Sequence, residues 1–378
     1  MVYNFQKIDE EFEKFIYSQK IGNDDKFIKL NERDYYRDIS TNTICHFKNC
    51  DKIAIKSHTY PISFLKKISP NGVIYSTDIR RVVENAYEDS PVDVVYKSHI
   101  NKSGVQNLFC EKHDSQLFER LEIKPLVDST DIETYLSLFL YRFFIYDFEL
   151  ETEVHFPNKK REINLKKPYA KKIAEEKAID YLIRQELSTK LISENASYDL
   201  GAFLKLKFER IFDSNETPNY SDFEKEFKLE FFDLGFQSKA FISGTMYFNL
   251  TQINPTVPSI FGLIPGKDFN TTYFAILIPK ESENEMKNYV INIKQSYKEY
   301  KNGDETLLGL IVFTLLDASQ NIIITESQYN KLNELGQYKD FQKAYLALTM
   351  ARIPSSPFKA QDLRNYSLQL VKKFSLLK

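Results

Sequence analysis

Cys45-His46-Phe47-Lys48-Asn49-Cys50 and, sixty residues later, Cys110-Glu111-Lys112-His113 decide how the first third of this chain folds. The spacings are C-x4-C and C-x2-H, and each pair can hold one edge of a metal ion. Zinc takes four N and S ligands in a tetrahedron, and two short-spaced pairs supply them once folding brings the pairs together. Cys45, Cys50, Cys110 and His113 are therefore expected to bind a single structural zinc ion. His46 and His99 are the substitute ligands, and three cysteines that merely pack as small apolar residues are the competing reading. Leu117, Phe118 and Leu121 follow at helical spacing, which places the last two ligands at the start of a helix. A knuckle followed by a helix that carries the last two ligands is a treble-clef arrangement. The gap between the pairs predicts an insertion, with turns at Pro70-Asn71-Gly72 and Ser103-Gly104.

The chain has 378 residues, room for two or three compact domains. Its formal net charge of -2 excludes a uniformly basic, nucleic-acid-coating protein but leaves room for a local positive groove. Three cysteines cannot form a fully paired disulfide framework, and cytoplasmic thiols are buried, metal-bound or catalytic. Met1 to Lys20 lacks the basic start and apolar run of a secretory signal, and no stretch approaches the roughly 18 apolar residues of a membrane span. A cytoplasmic protein with no membrane partner is the expectation.

Around this region the text divides the chain into four parts and predicts an α+β fold. Residues 1–40 read as a helical arm, in which Phe5, Ile8, Phe12, Phe15 and Ile16 lie near helical spacing; it is a candidate contact for a homo-oligomer. Residues 41–125 form the zinc module and hold four of the five histidines. Residues 126–215 are a helical region. It opens after the capping-type residues Ser129 to Asp131 with Ile132, Tyr135, Leu136, Phe139, Leu140 and Phe143. His155 to Pro168 reads as a basic linker, and helical text resumes over Tyr169 to Glu194 and Leu200 to Phe212. Residues 216–378 form a mixed domain, with strands expected between Phe227 and Pro279. The runs Leu307 to Leu316 and Asn321 to Thr325 fit either two strands or a strand and a buried helix. This half carries no Gly-rich phosphate loop or nucleophile motif that would mark a small-molecule enzyme.

Cys45-x4-Cys50, Lys56-Ser57-His58-Thr59-Tyr60-Pro61 and Phe109-Cys110-x2-His113-Asp114-x2-Leu117-Phe118 together resemble the zinc-bearing HNH branch of the His-Me finger endonucleases. The likeness covers Thr41 to Glu122. It implies a ββα module that hydrolyses DNA phosphodiesters, as a bacterial anti-phage defence effector. In that family a histidine at the end of the strand after the knuckle activates water, and His58, with Pro61 three residues later, holds the place. Imidazole suits the role because its pKa lies near working pH. Ser57 stands where the family has an acid. Asp114, just after the last zinc ligand, matches the position that holds a catalytic Mg2+ or Mn2+ against the phosphate. Asn107, or Asn101, is the candidate for the middle residue.

Each of these residues also has a structural role open to it. Asp114 suits a helix N-terminus and His58 a buried hydrogen bond, which leaves an inert zinc module recognising nucleic acid or a protein partner as the alternative. Lys66, Lys67, Arg80 and Arg81 are candidate phosphate contacts or plain solvated charge. Arg142 lies in a very apolar helical stretch, where an arginine is expected to pair with an acid or to reach toward a phosphate, the structural ion pair being the preferred reading.

Overall fold

The computed structural model describes residues 44–77, 95–122, 131–165, 195–214, 217–246, 258–266, 269–342 and 376–378. The expected arm, Arg80 and Arg81, and the helical text of 169–194 lie outside the described residues.

The fold is mixed α and β. Strand β1 (Ile55–His58) is followed by helix α1 (Ile62–Ile68), strands β2 (Val73–Ser76) and β3 (Tyr96–His99), strand β4 (Val105–Phe109) and helix α2 (Glu111–Glu122). β1 and β4 form an antiparallel two-stranded ladder. The insertion between them does not stay within the 41–125 module expected from the sequence. β2 pairs with β3 on one side and with β9 (Ser319–Thr325) on the other, so the insertion adds two strands to a seven-stranded sheet of order β3-β2-β9-β6-β7-β8-β5. The remaining strands are β5 (Phe227–Asp233), β6 (Ala240–Met246), β7 (Ser259–Pro265) and β8 (Thr272–Pro279), and every pairing is antiparallel. One sheet thus runs across the boundaries drawn at 125 and 215.

Both faces of this sheet are covered. All seven residues of β7 are buried, the pattern of a central strand packed on two sides. Gly262 faces helix α3 (Ile132–Leu165), where an added Cβ would come within 2.5 Å of the Phe143 ring, so the absent side chain sets the distance of closest approach. Phe261, one residue earlier and on the opposite face, meets Tyr289 of helix α6 (Glu283–Lys301). Helix α4 (Asn195–Ser214) and the single turn α5 (Tyr220–Phe223) precede β5. Leu307 to Leu316 resolves as a buried helix, α7 (Thr306–Ala318), which leads straight into β9; helix α8 (Glu326–Glu334) follows.

α3 is apolar nearly all round from Tyr135 to Phe148, and these residues are buried because the helix lies between the sheet, α2 and α4. Each fully buried phenylalanine here, Phe139, Phe143 and Phe144 among them, contributes roughly 1.5–3 kcal/mol by leaving water. The helix starts where the sequence predicts. It does not end at His155, because the backbone stays helical through Pro157 to Leu165. The expected linker is thereby corrected over 155–165. One proline removes one backbone hydrogen bond, and the Lys, Arg and Glu residues after it favour helix. Among the described residues, no helix is long and apolar enough to cross a membrane.

Candidate metal centre

The four sequence-predicted ligands converge. One ligand atom from each of Cys45, Cys50, Cys110 and His113 lies within 4.8 Å of all the others. Cys50 Sγ is 3.8 Å from Cys110 Sγ, and His113 Nδ1 is 3.4 Å from both Cys45 Sγ and Cys110 Sγ. A tetrahedral zinc ion with Zn–S of about 2.3 Å and Zn–N of about 2.0 Å requires S···S edges of roughly 3.8 Å and S···N edges of roughly 3.5 Å. The donor chemistry and the spacing both fit zinc. His46 and His99 stay outside the group, His99 on β3 at the edge of the large sheet.

Local structure explains the convergence. The first pair sits on a tight turn closed by Cys45 N–H to Lys52 C=O and Cys50 N–H to Phe47 C=O, with Asn49 in the left-handed conformation that asparagine tolerates. Ile44 and Ile53 bridge its base. The second pair spans the first turn of α2, where Asp114 N–H donates to Cys110 C=O. The turn is tied to β4 by a 2.9 Å bond from His46 N–H to Leu108 C=O. Leu108 is the extra residue of a β-bulge, since Ile55 aligns with Phe109 while Lys56 aligns with Asn107. Phe47 stacks on the His113 ring at 4.0 Å and touches Phe212 of α4, shielding one side of the centre. Cys45 and Cys110 are buried, and Cys50 is half-buried.

Burial pushes the Cys45 thiol up to about 12. Burial also acts to raise Cys110. Its hydrogen bonds to the His113 backbone, the Cys50 and Cys45 side chains and the Lys112 backbone outweigh that effect and lower it overall. A divalent cation among the sulfurs would supply the charge that favours all three thiolates at once.

No protein family, curated protein or solved structure matches this chain.

The candidate catalytic residues are distributed over two faces of the β1–β4 ladder. The Ser57 hydroxyl donates to Asp114 Oδ1 at 2.6 Å, so the face bearing Ser57 and its partner Gln106 looks onto α2. His58 is the next residue of the extended strand and turns to the other face. It shares that face with Lys56 and with their cross-strand partners Val105 and Asn107. The structure therefore groups His58 with Asn107, and Asp114 with Ser57. Asn101 lies in the turn after β3, where its N–H donates to His99 Nδ1. Lys67 reaches Asn270 Oδ1 at 3.2 Å and lies over the Phe269 ring, while Lys66 is exposed in the last turn of α1.

Arg142 has the acid partner that its apolar setting requires. Its side chain is 1% exposed, its guanidinium carbon lies 4.7 Å from the centre of the Phe118 ring, and Nη2 is 3.8 Å from Asp114 Oδ1. Sequence reasoning identified the need for an acid but not which one, because α3 and α2 meet only through tertiary packing. Asp114 Oδ1, one of the two oxygens that could coordinate Mg2+ or Mn2+, accepts from Ser57 at 2.6 Å and lies 3.8 Å from the Arg142 guanidinium.

Proposed function

We propose that Cys45, Cys50, Cys110 and His113 hold one structural zinc ion in a treble-clef unit of the HNH kind, and that this unit acts on DNA phosphodiesters with His58 as the base. The observation that carries the reading is the order knuckle, β1, β4, α2. The four ligand atoms all lie within 4.8 Å of one another, and Ser57, next to His58 at the end of β1, is bonded to the first turn of α2. Zinc supplies rigidity and no step of the reaction. His58 takes the proton from a water whose oxygen bonds to phosphorus as the P–O3′ bond breaks, the departing O3′ takes a proton from solvent, and Lys56 and Asn107 on the same face offer donors to the phosphate.

A second reading, an inert zinc module that recognises nucleic acid or a protein partner, is favoured by one specific observation. Asp114 is engaged by Ser57 and Arg142, on the face opposite to His58. Supercoiled plasmid separates the two readings. Under the nuclease reading the zinc-bound full chain nicks it, and His58→Ala removes nicking while keeping zinc content and the thermal unfolding midpoint. Equal nicking by that variant, or none by the wild type under any metal condition, overturns the nuclease assignment. Retained DNA binding without cleavage supports the second reading.

A further inference from the structure

The buried arginine of α3 occupies the electrostatic position that a catalytic divalent cation would need. A side chain 1% exposed cannot swing away to leave Asp114 to a metal. Its freedom is limited on one side by Phe118, whose ring centre lies 4.7 Å from the guanidinium carbon. Asp114 belongs to the first turn of α2, so the carboxylate also faces the positive end of that helix. Its Oδ1 atom accepts the Ser57 hydroxyl and lies 3.8 Å from Arg142 Nη2, so a positive charge already stands beside the carboxylate. A magnesium or manganese ion would bring two further positive charges to this oxygen at about 2.1 Å.

We propose that Arg142 is the resident cation of Asp114, that it excludes Mg2+ and Mn2+ from the site, and that the ββα unit works without a catalytic divalent metal. The exclusion of metal stands on geometry alone; its consequence for cleavage rests on the nuclease reading given above.

Manganese binding tests the exclusion without any activity assay. The full chain, loaded with zinc and then passed through metal-free buffer, is titrated with Mn2+ and followed by electron paramagnetic resonance. The wild type is expected to leave the free-ion signal undiminished at equimolar Mn2+. Arg142→Met keeps an unbranched apolar side chain over Phe118 and is expected to bind one Mn2+, and the added Asp114→Asn change is expected to abolish that binding. Mn2+ bound by the wild type and lost in Asp114→Asn overturns the proposal. So does an Arg142→Met variant that keeps its zinc and binds no Mn2+. Should Arg142→Met not fold, the wild type and Asp114→Asn decide the exclusion by themselves: equal, undiminished free-ion signals in both sustain it. Failure of the nuclease reading appears separately, as absence of plasmid nicking by a protein that still excludes Mn2+.

Discussion

The Ser57 hydroxyl donates a 2.6 Å hydrogen bond to the Asp114 carboxylate, tying strand β1 to the first turn of the helix that carries Cys110 neighbours and His113. Ser57 is 1% exposed, and the same carboxylate oxygen lies 3.8 Å from the buried Arg142 guanidinium. Removing the hydroxyl in Ser57→Ala is expected to cost about 1 kcal/mol. Asp114→Ala is expected to cost more, about 2–4 kcal/mol, because it leaves a buried guanidinium without its carboxylate. Urea unfolding of the zinc-bound variants measures both, and a larger loss in Ser57→Ala than in Asp114→Ala would contradict this assignment.

Cys45 gives the metal-free protein a pH signature. Burial raises its folded value from 9.0 to about 12. The neutral thiol is thus favoured in the fold, and the associated stability is fully present below pH 9 and is lost as pH rises from 9 through 12. The metal-free wild type should therefore lose more stability between pH 8 and pH 10.5 than Cys45→Val does, as read from urea midpoints. Zinc should reverse the trend, since coordination favours the thiolate. Parallel pH profiles for the two metal-free proteins would rule the signature out.

Lys207, 2% exposed on α4, lies 2.6 Å from Glu281 and 3.1 Å from Glu226. Its hydrogen bond is the main cause that holds the Glu281 carboxyl below its usual 4.5. The folded value is depressed, so this stabilisation is present above pH 4.5 and is lost as pH falls through the lowered value. Glu281→Gln should flatten the acid side of the stability profile, while Lys207→Met should lower stability at neutral pH by removing the nearer cation from the half-buried Glu226, which also lies 3.5 Å from Arg210. An unchanged acid profile in Glu281→Gln would remove the basis for this account.

Asp131 caps α3. Its carboxylate accepts from Thr134 N–H at 3.3 Å and from Tyr220 N–H at 3.2 Å, and the Thr134 hydroxyl donates to it as well. Asp131→Ala is expected to cost about 1 kcal/mol, with Asp131→Asn milder, in thermal unfolding. Equal stability of Asp131→Ala and the wild type would show that the cap is redundant with the packing of the helix.

That cap was readable in the sequence, as were the two pairs that form the Cys45, Cys50, Cys110 and His113 group, because each depends on residues a few positions apart. The features that escaped sequence reading depend on pairing across long stretches of chain. Ile74 of the insertion pairs with Thr325, which no local pattern announces, so the insertion reads as a loop when it is part of the main sheet. The apolar run Leu307 to Leu316 has no period to separate helix from strand; burial against β6 and the Tyr289 hydroxyl on Thr314 give it its helical place. The bulge at Leu108 mattered most for the site. It shifts the register between β1 and β4, and so decides that Asn107 shares a face with His58 while Phe109 turns inward to Phe118. Counting residues along β4 alone gives the wrong face.

If one zinc ion holds the knuckle to α2 through Cys45, Cys50, Cys110 and His113, X-ray absorption at the zinc edge of the purified full chain will show it. One zinc per chain is expected, with three sulfur neighbours at about 2.3 Å and one nitrogen at about 2.0 Å, and loss of the metal in Cys50→Ser and in His113→Ala. A chain that purifies without zinc and does not take it up, or a shell with oxygen in place of sulfur, would contradict it.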